Sequence, residues 1–425
     1  MLKRIQVFEH DTLAIGEHSF NSRQFSALVR YNDRHDCAYF KVGHNRLHFG
    51  SFVGVIQVGN LAIEILPKLE NEASANKGKW QGALLQMLHQ SGLVIIEPAP
   101  DADLKLCKSP LMDVYLTSFL AEVQHLAHVG LLKRYRLTEG NLYKLKGRIQ
   151  FSQQLRRNLL HRERMFTAHQ VYDRDNAFNR ILKCALTIME RLSIRPSLAS
   201  RAGAFLLWFE EVADARVTAD TFKRLTFDRN AERYRRAIQL ARLIILNYSP
   251  DLCGGHEHVV AILFDMNRLF ERFILVQLRR VEPLYADLSL RVTSQLSELF
   301  WSTKTIRPDV RVNFKRDTVK TSVVLDTKWK VPNDCQPSDP DLKQMYVYNL
   351  QFGGNRGILI YPRATANQKG KEKPFASSVS FPAHSHNCAT YYIDLFDPTN
   401  RLRKDIGIEL IENVILPGDP ATAVA

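Results

Sequence analysis

The pattern of apolar and polar positions changes texture twice along the chain. Up to about residue 110 it reads as strand. Ala38–Val42, Val53–Val58 and Leu61–Leu66 are short, partly alternating runs rich in β-branched residues, and Gly59-Asn60 suits a hairpin turn between the last two. Pro67 ends the third run, Asn71–Gly78 is small and polar enough for a loop, and Trp80–Gln90 has helical amphipathicity. Residues 94–110, with Pro98, Pro100 and Pro110, form a connector. From Leu111 the apolar positions take helical spacing, through Val114, Leu116, Phe119, Leu120, Val123 and Leu126. A second helix runs through Phe178, Ile181, Leu182, Leu186 and Met189, with Asp175 placed to cap it, and others cover about 201–215 and 229–247. After Pro250 and Gly254-Gly255 the texture is mixed. A helix near 265–280 precedes strands at 291–300, 305–313 and 320–329; a helix at 340–352 and strands at Gly357–Tyr361 and Ala389–Asp394 follow. The tail past Pro417 is expected to be loose. The fold class is therefore α+β and multidomain, with a β-rich region over 1–110, a helical region over 111–250 and an α/β domain over 251–425.

A chain of 425 residues is too long for one ordinary core. With 45% hydrophobic and 24% charged residues it has the balance of a globular protein, not a disordered one. The charge is less ordinary: 58 Lys and Arg against 44 Asp and Glu give +14, which favours an acidic polymer as partner. No apolar run approaches the length of a bilayer span, the first ten residues lack the apolar stretch of a secretory leader, and the six cysteines show no paired-motif spacing. A cytoplasmic protein without a membrane segment is expected.

The chemistry concentrates in two short strands, Ile306-Arg-Pro-Asp-Val-Arg-Val and Val323-Val-Leu-Asp-Thr-Lys-Trp-Lys. Period-2 alternation puts Asp326 and Lys328 on one face with Val324, and Val323, Leu325 and Thr327 on the other, toward a core. A hairpin turn at Lys315–Thr318 would bring Asp309 back to the same point. Two carboxylates and a lysine converging there can cradle Mg²⁺ and a phosphodiester: the carboxylates give oxygen ligands and the lysine orients the attacking water. Two surface strands with solvated charges would produce the same strings, but buried strands rarely carry Asp and Lys without a partner.

Other candidates surround this pair. Gln344 and Tyr348 are four apart on the following helix, hence on one face. Glu271, on the helix before the strands, is a candidate fourth acidic group, with a solvent ion pair as the alternative. Lys133–Arg164 holds ten Lys and Arg against two Glu, with Tyr135, Tyr143, Phe151 and His161 interleaved. Its cations, Arg156 and Arg157 among them, could neutralise phosphates while the aromatics stack on bases, unless the run is simply a solvated face. Cys253, His256 and His258, with His384, His386 and Cys388, have no standard zinc spacing and read better as polar loop residues. No segment has the G-x-x-x-x-G-K-[ST] pattern of a phosphate-binding loop.

Pro308-Asp309 and Asp326-Thr-Lys328 resemble the PD-(D/E)xK nuclease core, and Gln344-x-x-x-Tyr348 resembles the element that follows it in RecB-like members. Val53–Lys68, Phe264–Glu271, Arg307-Pro-Asp, Leu325-Asp-Thr-Lys and Gln344–Tyr348 together are similar, in order, to the McrC family, over most of residues 50–362. The resemblance implies a C-terminal PD-(D/E)xK endonuclease domain in which Asp309 and Asp326 ligate Mg²⁺, Lys328 assists the attacking water, and Gln344 and Tyr348 hold double-stranded DNA. It implies an McrB-like AAA+ GTPase hexamer as partner, docked by the N-terminal region and stimulated by it, in a system that cuts methylated DNA. Asn32–Asp36 and Asn71–Gly78 are the loops that exposure suggests for docking. A RecB-like nuclease acting without a GTPase ring and a non-catalytic DNA-binding regulator remain the rival readings.

Overall fold

A computed structural model describes residues 3–69, 76–93, 111–192, 196–249, 258–294, 297–316, 319–352, 354, 356–365, 367–376 and 386–416. The connector expected over 94–110, most of the Asn71–Gly78 loop, the turn residues Asp317 and Thr318, and the tail past Pro417 lie outside them. It is a mixed α/β protein with several sheets and eleven α-helices among the described residues. By contacts the chain divides into two compact units. One comprises residues 1–3, 57–61 and 112–262; the other comprises 4–56, 62–111 and 263–425.

The second unit carries the acidic pair. Its main sheet has six strands in the order Arg291–Ser294, Val310–Arg316, Val319–Thr327, Arg356–Pro362, Asn387–Ile393 and Glu372–Pro374. The first three pair antiparallel, while Val319–Thr327, Arg356–Pro362 and Asn387–Ile393 run parallel. A parallel step needs a crossover, and the helix Asp339–Phe352 supplies it. That helix packs on the face bearing Val324, where Met345, Tyr348 and Phe352 meet Leu359, Tyr361 and Tyr392. The helix Met266–Val281 begins at Asp265, whose carboxylate accepts the N–H groups of Asn267 and Arg268 at 2.9 and 3.3 Å. The ring of Phe270 on this helix sits 5.3 Å from that of Trp329. The sequence expectation of one core-facing and one open face is thereby corrected: Val323, Val324 and Leu325 are all buried. Strands inside parallel sheets are covered on both faces, which is why Asp326 sits in a near-continuous apolar run.

Gly357 lets the crossover helix lie close. A Cβ there would come within 2.5 Å of Met345 Cε and 2.8 Å of Asn349 Oδ1. Gly357→Val should overpack this seam and cost about 1–3 kcal/mol, measured as a lower midpoint in urea unfolding.

Several elements of this unit went unrecognised in the sequence, among them the strand Lys3–Phe8 and the helix Ser22–Asp33, which opens with an Asn21–Gln24 capping box. The strand expected at 291–300 is broken. Arg291–Ser294 joins the sheet, whereas Glu298–Trp301 turns out and pairs with Lys304–Ile306 as a separate two-stranded hairpin.

The other unit corrects the all-helical reading of the middle region. Helices Leu111–Val129, Ala177–Arg191, Pro196–Leu206 and Arg235–Leu246 are present, but Arg134–Leu142 and Met165–Asp173 form a long antiparallel pair, with Arg148–Ile149 beside it. The alternation Arg134-Tyr-Arg-Leu-Thr-Glu has a strand period that the polar second half of the strand obscured. Asp175 is not the cap of the helix after it. Asn176 accepts the Asn179 N–H at 3.2 Å, while Asp175 is held at 2.7 Å by Arg180, which pulls its pKa down to about 2. Tyr234 ties the unit together, its hydroxyl accepting from Leu132 N at 2.7 Å and donating to Asn179 Oδ1 at 3.0 Å.

Candidate active site

The ladder between Val310–Arg316 and Val319–Thr327 pairs Val310 with Leu325. Continued one residue outward, the same register sets Asp309 opposite Asp326, and opposed residues of an antiparallel pair share a face. Pro308 is buried and precedes the strand, so Asp309 stands at the sheet edge, half-buried. One of its carboxylate oxygens, Oδ2, accepts from the backbone N–H and the hydroxyl of Thr327, at 2.8 and 2.9 Å. Asp326 is buried, and its Oδ2 lies 2.7 Å from Lys328 Nζ.

From Lys328 the polar chain continues into the crossover helix. Nζ donates to Gln344 Oε1 at 3.0 Å, Gln344 Nε2 donates to the Tyr348 hydroxyl at 2.8 Å, and that hydroxyl donates to the Arg307 carbonyl at 2.9 Å. The path thus returns to the residue two before Asp309. The i, i+4 spacing of Gln344 and Tyr348 is what lets one helix face supply both groups. The five residues singled out in the sequence come together in one place.

Sequence reasoning missed a sixth member, Asp341. It is buried, its Oδ1 lies 3.8 Å from Lys328 Nζ, and its Oδ2 accepts from Lys330 Nζ at 2.6 Å and Ser338 Oγ at 2.7 Å. The signal was present: Asp341 falls three residues before Gln344, on the same helix face, and Lys330 follows Lys328 by two residues.

Burial and like charge shape the electrostatics. Asp326 is pushed up to about 7, first by burial and then by the charge of Asp309, with Lys328 working the other way. Burial opposes the ammonium of Lys328, but Asp326, Asp341 and Asp309 outweigh it and hold the amine's pKa above its ordinary value. Burial likewise opposes the charge of Asp341, yet hydrogen bonds from Lys330 and Ser338 keep its carboxyl below the usual range. Burial raises the Tyr348 phenol to about 12, so it is a donor at neutral pH.

The donor set suits a hard cation. Asp326 Oδ2, buried beside the lysine, takes no well-directed hydrogen bond, and Asp309 uses only one carboxylate oxygen on Thr327. Among the described residues no three His, Cys, Asp or Glu form a metal cluster. Two carboxylates with the remaining positions left to water and substrate oxygens match Mg²⁺, which gives up its waters reluctantly.

Of the remaining candidates, Glu271 is half-buried on the helix Met266–Val281, whose Phe270 ring lies 5.3 Å from that of Trp329. Arg156 and Arg157 are exposed on the helix Phe151–Asn158 of the other unit. Cys253, His256 and His384 lie outside the described residues. His386 lies just before the strand Asn387–Ile393 and is buried, its ring 4.7 Å from Tyr346 and 4.8 Å from Phe375, and burial pushes the Cys388 thiol up to about 12. Asn32–Asp36 forms the end of the helix Ser22–Asp33 and the turn after it, with Asp36 and Cys37 at positive φ.

Just past the strand Val319–Thr327, Trp329 donates its indole N–H to buried Glu9 at 2.7 Å, and Glu9 also accepts the Lys68 N–H at 2.8 Å. Burial lifts Glu9 to about 7 against these hydrogen bonds. The fold therefore prefers its protonated form, and the stability it contributes is full below about pH 4.5 and lost as pH rises through about 7. Glu9→Gln keeps an acceptor for Trp329. It should flatten this decline, the two proteins differing most above pH 7 by on the order of 3 kcal/mol, read from urea midpoints across that range.

A sequence model of the McrBC 5-methylcytosine restriction system component matches residues 47–362. The chain belongs to the McrBC family. The match contains Asp309, Asp326, Lys328, Asp341, Gln344 and Tyr348, and Glu9 precedes it. No curated protein matches. Among solved structures, the chain is similar to one in the half-complex from the tetradecameric assembly of Thermococcus gammatolerans McrB AAA+ hexamers with bound McrC. The TM-score is 0.66 at 19% identity, over 97% of this chain and 100% of that one. A second likeness, with TM-score 0.49 and 21% identity over 65% of this chain and 87% of the other, is to the Thermococcus gammatolerans McrBC complex. At such identity the first likeness speaks for a shared fold. No helix among the described residues of this McrBC-family chain is long and apolar enough to cross a membrane.

Proposed function

We propose that this chain is the endodeoxyribonuclease subunit of a McrBC-type restriction system, cutting methylated double-stranded DNA with Mg²⁺ and working with an McrB-like AAA+ GTPase hexamer whose hydrolysis it stimulates. The observation that carries the reading is the polar path Asp326–Lys328–Gln344–Tyr348, with Asp309 opposite Asp326 where their strands meet, in a chain of this family. The Thermococcus neighbour, an McrC bound to McrB hexamers, supports the choice of partner.

Asp309 and Asp326 would hold the Mg²⁺, which when bound supplies Lewis-acid stabilisation of charge building on the phosphodiester. Lys328 does two things. Anchored by Gln344 and paired with Asp326, its ammonium orients the water that attacks phosphorus and balances the negative charge of the transition state. Tyr348 fixes Gln344 from behind and holds the Arg307 carbonyl, keeping the Pro308-Asp309 turn in place. Cleavage lies in the C-terminal domain, while the β-rich N-terminal region docks the ring.

Nicking of a methylated plasmid tests this directly. Cleavage should require Mg²⁺, the partner and GTP together. Cutting that ignores partner and GTP would favour the ring-independent RecB-like reading, and no cutting under any condition would favour a regulator.

A further inference from the structure

The hairpin Glu298–Ile306, which the sequence pattern merges into the strands expected at 291–300 and 305–313, is unused by the site above. It is inserted between two neighbours of the main sheet. The strand Arg291–Ser294 ends opposite Val310, and after the hairpin the chain re-enters that sheet at Val310 itself. Both feet therefore stand at the edge that carries Asp309, and Ile306 is three residues from it, no more than about 11 Å along the chain. The base is fixed: Ile306 packs against the cluster around Met345 and Tyr348, and Glu298 lies 4.0 Å from Arg311.

The rest of the hairpin is bare. Leu299, Phe300 and Trp301 are 67%, 54% and 74% exposed, three consecutive large apolar side chains facing solvent. The register slips between Leu299 and Trp301, so Trp301 pairs with Lys304 and the two share a face. Lys304 and Arg307 are exposed, whereas the hairpin's one carboxylate, Glu298, has Arg311 beside it. Aromatic surface bordered by unneutralised cations fits a polyanion with flat, stackable faces.

We propose that this hairpin is a DNA-contacting element, setting Trp301 and Phe300 against the bases or groove flanking the bond to be cut while Lys304 and Arg307 meet the adjoining phosphates. The proposal rests on the nuclease reading for its substrate. Its tip is six to seven residues from Asp309 along the chain, no more than about 20–25 Å, within reach of neighbouring base pairs. An inserted aromatic would also hold the duplex in register over Asp309 and Asp326, as apolar wedges do in minor-groove proteins.

The test uses the full chain and a fluorescein-labelled 30-base-pair duplex, without divalent metal, so that binding is read by anisotropy and nothing is cut. Trp301→Ala should weaken binding about tenfold or more, the range expected for one lost stacking contact. Trp301→Phe should retain most of the affinity, and Lys304→Ala should lower the slope of affinity against salt by about one charge. Unfolding midpoints should not move, because the replaced side chains are exposed. Unchanged affinity in Trp301→Ala overturns the proposal. So does a wild-type dimer that Trp301→Ala converts to monomer, which would make the hairpin a contact between copies. Binding that depends on Trp301 in a chain that never cuts would sink the nuclease reading and leave the hairpin assignment standing; cutting indifferent to Trp301 would do the reverse.

Discussion

Asp309→Ala and Lys328→Ala are each expected to lower DNA cleavage by about 10³-fold or more, while stimulation of the partner's GTP hydrolysis stays at the wild-type level. The first removes one of the two carboxylates at the sheet edge; the second removes the only cation whose Nζ lies between Asp326, Asp341 and Gln344 among the described contacts. Asp309 also accepts from Thr327, so a loss of activity in the alanine variant could include a displaced strand end. Asp309→Asn separates the two roles: its Oδ1 still accepts from Thr327, but it carries no charge for a cation. Both Asp309 variants should be equally inactive in plasmid nicking, with the asparagine protein keeping the wild-type unfolding midpoint. A folded variant that loses GTPase stimulation together with cleavage would show that docking and cutting are not separate functions of the chain.

Asp341→Asn should be the next most damaging change. Lys328 is shared between two carboxylates, at 2.7 Å from Asp326 and 3.8 Å from Asp341. A cation held at Asp326 would compete with the lysine for the same oxygen, and Asp341 would be the anion left to hold the ammonium near a bound phosphodiester. Neutralising it should cost about 10- to 100-fold in turnover, as loss of outer partners does at metal centres, with little change in the affinity for duplex DNA. The Mg²⁺ concentration for half-maximal cleavage should rise as well, because Lys328 then stays on Asp326. Lys330→Ala serves as a comparison: it removes a half-exposed partner of Asp341 without touching Lys328, and should cost much less. If Asp341→Asn cleaves like the wild type, Asp341 is only a structural ion-pair partner.

The site was legible because its logic is local. Strand alternation, a register of one hairpin and the i, i+4 spacing of a helix are enough to bring Asp309, Asp326, Lys328, Gln344 and Tyr348 together. Asp341 escaped because a lone aspartate at a helix start reads first as a cap or dipole partner, and only Lys330 gives it another meaning. The strand Arg134–Leu142 was hidden by its polar second half: after Tyr135 and Leu137, the run Thr138–Asn141 leaves the alternation little hydrophobic contrast. The hairpin at 298–306 was lost for the opposite reason, since Leu299, Phe300 and Trp301 look like core and are not. Glu9 and Trp329 could not have been paired from sequence, because nothing local in either segment points to a partner 320 residues away.

That last bond has a consequence for how the molecule is made. Residues 4–56 and 62–111 cluster with 263–425, and the stretch between them folds as its own unit. On a ribosome adding about 5–20 residues per second, Glu9 and Trp80 must wait tens of seconds for Trp329 to emerge. A fragment beginning at residue 251 would never acquire the acceptor for that indole, nor the Trp80 ring that abuts it 6.4 Å away. A C-terminal fragment alone is therefore an incomplete copy of the compact unit that carries Asp309 and Asp326.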